Sequence, residues 1–250
     1  MKQLAHRTAF VTGAAQGMGK AIALHMAREG ANVAVNDLDL KPIRRVATAI
    51  SQCGVRSLAV DGNVTDPVNV DRMVRRILNA FGRIDILVNN AGILYPTRLL
   101  DIGYDEWRKV MDVNINGVFL VTSRVLPIMI SNRYGRIINM SSIAGRSVST
   151  IGGAHYAASK AAVLGFTRAM AKEMGRFGIT ANALCPGMID TAMTRRTISN
   201  RQLARYCKAY PIPRAGTPDE VAQLAVFLAS DAAAYITGAA MDINGGDLML

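Results

Sequence analysis

A chain of 250 residues, 50% apolar and 19% charged, can bury a sizeable core without help from a metal or a disulfide framework. Cys53, Cys185 and Cys207 are odd in number with no C-x-x-C, and His6, His25 and His155 are scattered, which excludes a zinc cluster and points to a reducing, cytoplasmic setting. The formal charge of +11 is dispersed, with no block of like charge and no interleaved aromatics, so neither nucleic acid nor a membrane is expected as partner, and no apolar run is expected to reach membrane-spanning length.

Short apolar runs alternate with longer helical patterns. Strands are predicted at 8–13 (TAFVTG), 32–37 (NVAVND), 57–60 (SLAV), 84–90 (IDILVNN), 135–142 (GRIINMSS), 179–187 (ITANALCPG) and 238–245 (GAAMDING). Helices are predicted near 17–29, 40–52, 67–81, 104–130, 153–175 and 218–229, with Pro127 bending or ending its helix. Several strands are apolar on both faces, as in a parallel sheet covered by helices. The alternation implies one α/β domain over 1–250, a doubly wound Rossmann fold with a seven-stranded, mainly parallel sheet. One interval breaks the rhythm. Residues 188–212 insert a polar, Arg-containing helical stretch after the sixth strand, a candidate substrate lid.

Two local patterns carry chemistry. The run VTGAAQGMGK places Gly13, Gly17 and Gly19 between the first strand and the first helix. Glycines there allow a tight turn and close approach to a pyrophosphate, which the helix N-terminus attracts. Asp37 ends the second strand, where a carboxylate accepts hydrogen bonds from ribose hydroxyls and repels a 2′-phosphate. Leu38 follows it, and the nearest basic residue on that side is Lys41, so NAD is expected over NADP. In HYAASK, Tyr156 and Lys160 stand one helical turn apart on one face. A free tyrosine has a pKa of about 10, and a nearby cation lowers it by about 1–3 units.

These pieces occur in the order, and near the spacings, of one family. With TGAAQGMG at 12–19, NNAG at 89–92, Asn114 in VNINGVF, SS at 141–142, YAASK at 156–160, CPG at 185–187 with Thr191, and ITGAAMDINGG near the end, the chain resembles the soluble short-chain dehydrogenases/reductases over essentially its whole length. The resemblance implies that Tyr156 is the general acid/base, that Lys160 holds the nicotinamide ribose and lowers the tyrosine pKa, that Ser142 hydrogen-bonds the substrate oxygen, and that Asn114 stabilises a water linked to the lysine. It implies a dinucleotide site formed by Gly13, Gln16, Gly17, Met18, Gly19, Asp37, Asn63, Val64, Asn90, Ala91, Gly92, Tyr156, Lys160, Pro186, Gly187, Ile189 and Thr191. Asn90 is then expected near the adenine ribose, and Pro186 to Thr191 around the nicotinamide amide. It also implies a homotetramer, or else a dimer, assembled through the two long helices near 104–130 and 153–175.

The sequence departs from the family pattern in four places. The interval from Ser142 to Tyr156 is one residue longer than the commonest family spacing, which leaves Ser141 as the alternative hydroxyl. Asn63 stands where many relatives place an aspartate near the adenine amino group, and Asn244 where an aspartate is usual. His155 precedes the tyrosine and is either a wall residue or a substrate contact. Arg146 and the lid residues Arg195 and Arg196 either bind an anionic group on the substrate or are solvated surface. The reaction expected is interconversion of a secondary alcohol and its ketone, on an anionic or polyol-like substrate. The alternative is a 3-oxoacyl-[acyl-carrier-protein] reductase docking its acidic carrier through Arg133 and Arg176, although many such reductases prefer NADPH. A non-catalytic NAD-binding or nucleic-acid-binding role fits the intact Asn–Ser–Tyr–Lys set poorly.

Overall fold

A computed structural model describes residues 2–250. Seven strands form one sheet: β1 (Thr8–Val11), β2 (Asn32–Asp37), β3 (Ser57–Asp61), β4 (Ile86–Asn89), β5 (Gly135–Met140), β6 (Ile179–Pro186) and β7 (Ala240–Ile243). Their order is β3-β2-β1-β4-β5-β6-β7, and every pairing is parallel. β1, β4, β5 and β6 are buried along their whole length, which is why their sequences are apolar on both faces.

Nine α-helices are described: α1 (Gly17–Arg28), α2 (Leu40–Ser51), α3 (Pro67–Phe81), α4 (Tyr104–Met111), α5 (Gly117–Asn132), α6 (Ala154–Met174), α7 (Ala192–Thr197), α8 (Asn200–Cys207) and α9 (Pro218–Ala229). One apolar layer joins α1, α2 and α9 to the sheet through Ile22, Met26, Ile43 and Val221. The opposite layer joins α3, α5 and α6 to it through Phe10, Met73, Val121, Val125 and Met170. Between them these layers cover both sheet faces, as the alternating pattern implied.

The expected helix at 104–130 is two helices joined by a π-helical turn at Asp112–Asn116, whose closing bond runs from Gly117 N–H to Asp112 O. Pro127 does not end α5, which continues to Asn132. It lies on the exposed side of the helix. The joined stretch Tyr104–Asn132 is also long and apolar enough to cross a membrane, contrary to the sequence expectation. Part of its apolar surface is instead committed to the core, with Val121, Val125 and Met129 buried against the sheet.

Polar pegs fix α5 and α6 beneath the site. The Asn89 amide donates to Thr122 Oγ1 at 2.9 Å and to Asn139 Oδ1 at 2.8 Å, and the Asn139 amide donates to Thr167 Oγ1 at 2.9 Å. Each buried amide finds a partner, so the network sets the helices' axial position as well as their packing.

Candidate active site

The chain leaves β1 toward one sheet edge and β4 toward the other, so the crossover connections part at the carboxyl ends of these strands. A crevice opens at such a switch point. Here it is a cleft of about 680 Å³ lined by Gly13, Gln16, Gly17, Met18, Asp37, Asn63, Val64, Asn90, Ala91, Gly92 and Thr191. Gly13 and Gly17 adopt positive φ, and a Cβ on Gly19 would lie 2.4 Å from both Gly13 O and Asn90 Nδ2. α1 then starts without a side-chain cap and without an acidic residue in its first turn. Its first N–H groups are therefore available at the cleft, a suitable setting for a pyrophosphate.

Asp37 closes the other end. Its carboxylate accepts from Ala15 N at 3.1 Å and Leu38 N at 2.8 Å, which ties it to the glycine turn. The basic residues on the cleft wall, Arg108 and Lys109, belong to α4. Arg108 pairs with Asp105 at 3.1 Å, and the Lys109 ammonium lies over the Tyr95 ring. The Asn63 carbonyl accepts from Thr65 N at 3.0 Å, so it is engaged locally. Asn90 lines the cleft and also braces its glycine turn. Its amide nitrogen donates to Thr12 O at 3.0 Å and Gly13 O at 2.9 Å, bracing the glycine turn from below.

A second, smaller cavity of about 90 Å³ holds Ser142, Tyr156, Pro186, Gly187, Ile189 and Thr191, with Met18 and Thr191 shared with the large cleft. Ser142 and Tyr156 meet because β5 runs into a 3₁₀ turn at Ile143–Gly145 that lies flat on α6. A Cβ on Gly145 would stand 2.6 Å from the Lys160 carbonyl, so glycine is what permits the approach. The Ser141 hydroxyl donates to Lys160 O at 2.8 Å and is thereby occupied, whereas the Ser142 hydroxyl faces the Tyr156 phenol. The Ser142 oxygen also accepts from Ala144 N at 3.1 Å.

Lys160 is 5% exposed, its ammonium donating to Met140 O at 2.7 Å and lying 5.7 Å from the Tyr156 ring centre. Burial lowers its pKa from 10.5 to about 8. The expected lowering of the Tyr156 pKa does not occur in the protein alone. Burial raises it, and the Ser142 hydroxyl pulls the other way. Desolvation of the phenolate outweighs that hydrogen bond, although Lys160 itself stays mostly protonated at neutral pH. Asn114 sits in the π-helical turn with its side chain filled: its Oδ1 accepts from Ile93 N at 2.8 Å, and its Nδ2 donates to Ile93 O at 2.9 Å and Ser159 Oγ at 3.0 Å. It ties the NNAG loop to α6, and its Oδ1 would be 3.3 Å from a Cβ on Gly92, with Lys160 Nζ at 3.5 Å.

The candidate substrate residues fare differently. Arg146 is drawn to β7, where it donates to Asp242 at 2.8 Å and Ala240 O at 2.9 Å. Arg195 is held in a fork by Asp190, both bonds at 2.6 Å, and Arg196 bonds Ala192 O at 3.1 Å. None of the three lines the cavity around Tyr156. His155 is fully buried and lines neither cavity. Its Nε2 bonds Glu106 at 2.9 Å and its Nδ1 accepts the Tyr156 N–H at 2.9 Å, which clamps the first turn of α6 to α4. Asn244 shapes a turn, bonding Leu248 O and Gly246 N. The interval 188–212 does fold over this region, as α7 and α8. Met188, Cys207 and Tyr210 give it a small apolar core of its own.

A family model described as enoyl-(acyl carrier protein) reductase matches residues 13–247. A 3-oxoacyl-[acyl-carrier-protein] reductase of Synechocystis is 42% identical over 251 residues, covering 100% of both chains. The chain is a short-chain dehydrogenase/reductase. The oxidoreductase UcpA of Escherichia coli O157:H7 is likewise 42% identical, over 257 residues covering 100% of this chain and 97% of that one. A short-chain type dehydrogenase/reductase from Mycobacterium marinum superposes with a TM-score of 0.91 at 34% identity, covering 99% of this chain and 97% of the other. Membership makes the protein an oxidoreductase with a nicotinamide cofactor. The uncapped α1 terminus, the glycine turn and the long cleft fit such a dinucleotide.

Proposed function

We propose that this short-chain dehydrogenase/reductase interconverts a secondary alcohol and its ketone with NAD(H). The observation that carries the cofactor choice is Asp37, a carboxylate at the ribose end of the cleft, flanked there by neutral Gln16 and Leu38. Gly13, Gly17, Met18 and Gly19 would hold the pyrophosphate, and Asp37 the ribose hydroxyls. Asn63, Val64, Asn90, Ala91 and Gly92 would line the adenosine half and the bridge. Lys160, Pro186, Gly187, Ile189 and Thr191 would frame the nicotinamide. When bound, the cofactor supplies or accepts the hydride.

The chain's own residues handle the proton. In reduction, Tyr156 gives its phenolic proton to the carbonyl oxygen as the C–H bond forms. The Ser142 hydroxyl, with its single proton, donates to the same oxygen. Because burial raises the Tyr156 pKa, the phenol is held protonated for reduction, and oxidation needs added positive charge or alkaline pH. Lys160 supplies part of that charge, and Asn114 and His155 hold its helix in place. The test is a rate panel with NADH and NADPH against ketones, oxo acids and 3-oxoacyl thioesters. A tenfold or greater preference for NADPH would refute the cofactor assignment.

The names of several relatives support a second reading, reduction of 3-oxoacyl groups on an acyl carrier protein. Arg133 and Arg176 support it too: both are exposed, and the Arg133 guanidinium reaches Arg176 O at 3.4 Å, so the two cations share one surface. Charge reversal at both should then abolish turnover of the carrier-bound substrate and spare a small ketone. For assembly we propose a homotetramer through α5 and α6, where Phe119 is 53% exposed beside Phe166. Light scattering of the purified protein tests it.

A further inference from the structure

A third cavity, of about 630 Å³, lies beyond the Tyr156 cavity and shares Thr150 and Ile151 with it. It is built by three segments: 96–99 after β4, 150–154 before α6, and the lid residues Thr197, Ile198, Gln202 and Tyr206. Its wall carries one charged side chain, Arg98, and no acid. Among the described residues, Arg98 has no ion pair and no side-chain hydrogen bond, whereas Arg146, Arg195 and Arg214 each hold a carboxylate. The hydroxyls of Thr150 and Tyr206 likewise have no hydrogen-bond partner among the described residues and share this wall.

We propose that this cavity is the distal subsite of the substrate, and that Arg98 binds a carboxylate there. The inference rests on the oxidoreductase reading above and names its substrate class: an oxo or hydroxy acid whose reacting carbon meets Tyr156 while its carboxylate meets Arg98. A guanidinium presents a planar fork that matches a carboxylate with two parallel bonds. One cation among neutral hydroxyl and amide donors balances one negative charge. A phosphate monoester, carrying about two, would be left partly uncompensated. The subsite closes only when the lid is in place, because Gln202 and Tyr206 come from α8. Recognition of the distal group is therefore coupled to covering of the reacting carbon.

The experiment compares the straight-chain series from 3-oxobutanoate to 6-oxoheptanoate with the corresponding methyl esters, using NADH oxidation by the wild type, Arg98→Gln and Arg98→Lys. Arg98 is an exposed loop residue, so the variants are expected to fold, and ester turnover reports that directly. The expected result is that one chain length is favoured as the acid, that Arg98→Gln raises its KM about 10- to 100-fold with little change in kcat, and that the esters are unaffected. Arg98→Lys should recover part of the loss, since it keeps the charge and loses the fork. Equal effects of Arg98→Gln on acids and esters, or no effect on either, would overturn the subsite while leaving the oxidoreductase reading intact. If no carbonyl compound turns over, that reading fails by itself. Calorimetric titration of 6-oxoheptanoate into wild type and Arg98→Gln then still decides the subsite: a tenfold weaker affinity in the variant upholds it, and equal affinities reject it.

Discussion

Lys160→Met should leave the protein more stable at neutral pH while removing its activity. Lys160 is 5% exposed and makes one strong bond, to Met140 O. Its pKa falls from 10.5 to about 8 on burial, which corresponds to roughly 3 kcal/mol at about 1.4 kcal/mol per pKa unit. The sign follows from proton binding. Between the folded and unfolded values the unfolded chain holds more protons, so stability rises with pH across that window. The cost is therefore fully present below about pH 8 and is relieved as pH climbs toward 10.5. Methionine has similar length and no charge, but it leaves the Met140 carbonyl unpaired at a cost of about 1–2 kcal/mol. The net gain at pH 7 is about 1–2 kcal/mol, or a Tm rise of about 4 °C for a chain of this size. Calorimetric scans of both proteins at several pH values measure it. The gain should shrink above pH 8 and turn into a loss near pH 10.5. A variant less stable than its parent at pH 7, or a difference that does not change with pH, would refute the reasoning.

Ser142→Ala removes the group that lowers the Tyr156 pKa, so the pH at which alcohol oxidation reaches half its maximum should move to more alkaline values, beyond a fall in rate of about 10²-fold or more. A pH–rate profile with an unmoved midpoint would count against it. Asp37→Ser should raise the KM for NADH by about tenfold and reduce discrimination against NADPH, read from initial rates with each cofactor. His155→Leu removes one of two acceptors of the Tyr156 N–H, which keeps its bond to Gly153 O, and the ring partner of the partly exposed Glu106; it should destabilise the protein by about 1 kcal/mol in urea titrations, with kcat falling more than KM changes. His155→Gln keeps a donor toward Glu106 and should recover part of both. Gly145→Ala forces a methyl against the Lys160 carbonyl and should lower kcat at least tenfold without altering NADH affinity, measured by fluorescence titration.

The fold could be read from the chain because its signals are local. NVAVND matches β2, and the Asp66 cap followed by Pro67 marks the start of α3 where it was expected. The candidate set of Ser142, Tyr156 and Lys160 could be named for the same reason, since its spacings are short and ordered. What the sequence hid depends on partners far away in the chain. Arg146 meets Asp242 and His155 meets Glu106, pairings that only the sheet order and the packing of α4 on α6 create. The rise in the Tyr156 pKa was hidden because burial, not the nearby lysine, dominates it. Arg98 drew no notice in PTRLLD. The available signal was its position six residues past Gly92, on the loop leaving the carboxyl end of β4, where ligand-facing loops emerge in such sheets.

The wide turn at Asp112–Asn116 also acts as a rotary offset. Each α-helical residue advances about 100° around the axis, so an extra one dephases everything before it from everything after. Downstream, Val121 and Val125 look into the sheet; upstream, Glu106 reaches His155, the residue before Tyr156. Excising one residue from the turn would let an ordinary ladder form and swing α4 by about a quarter-turn. The barrel of contacts below would survive, while Glu106 lost His155 and the cleft lost one wall. Catalytic alignment and core packing are thus set by separate angular settings on one continuous rod.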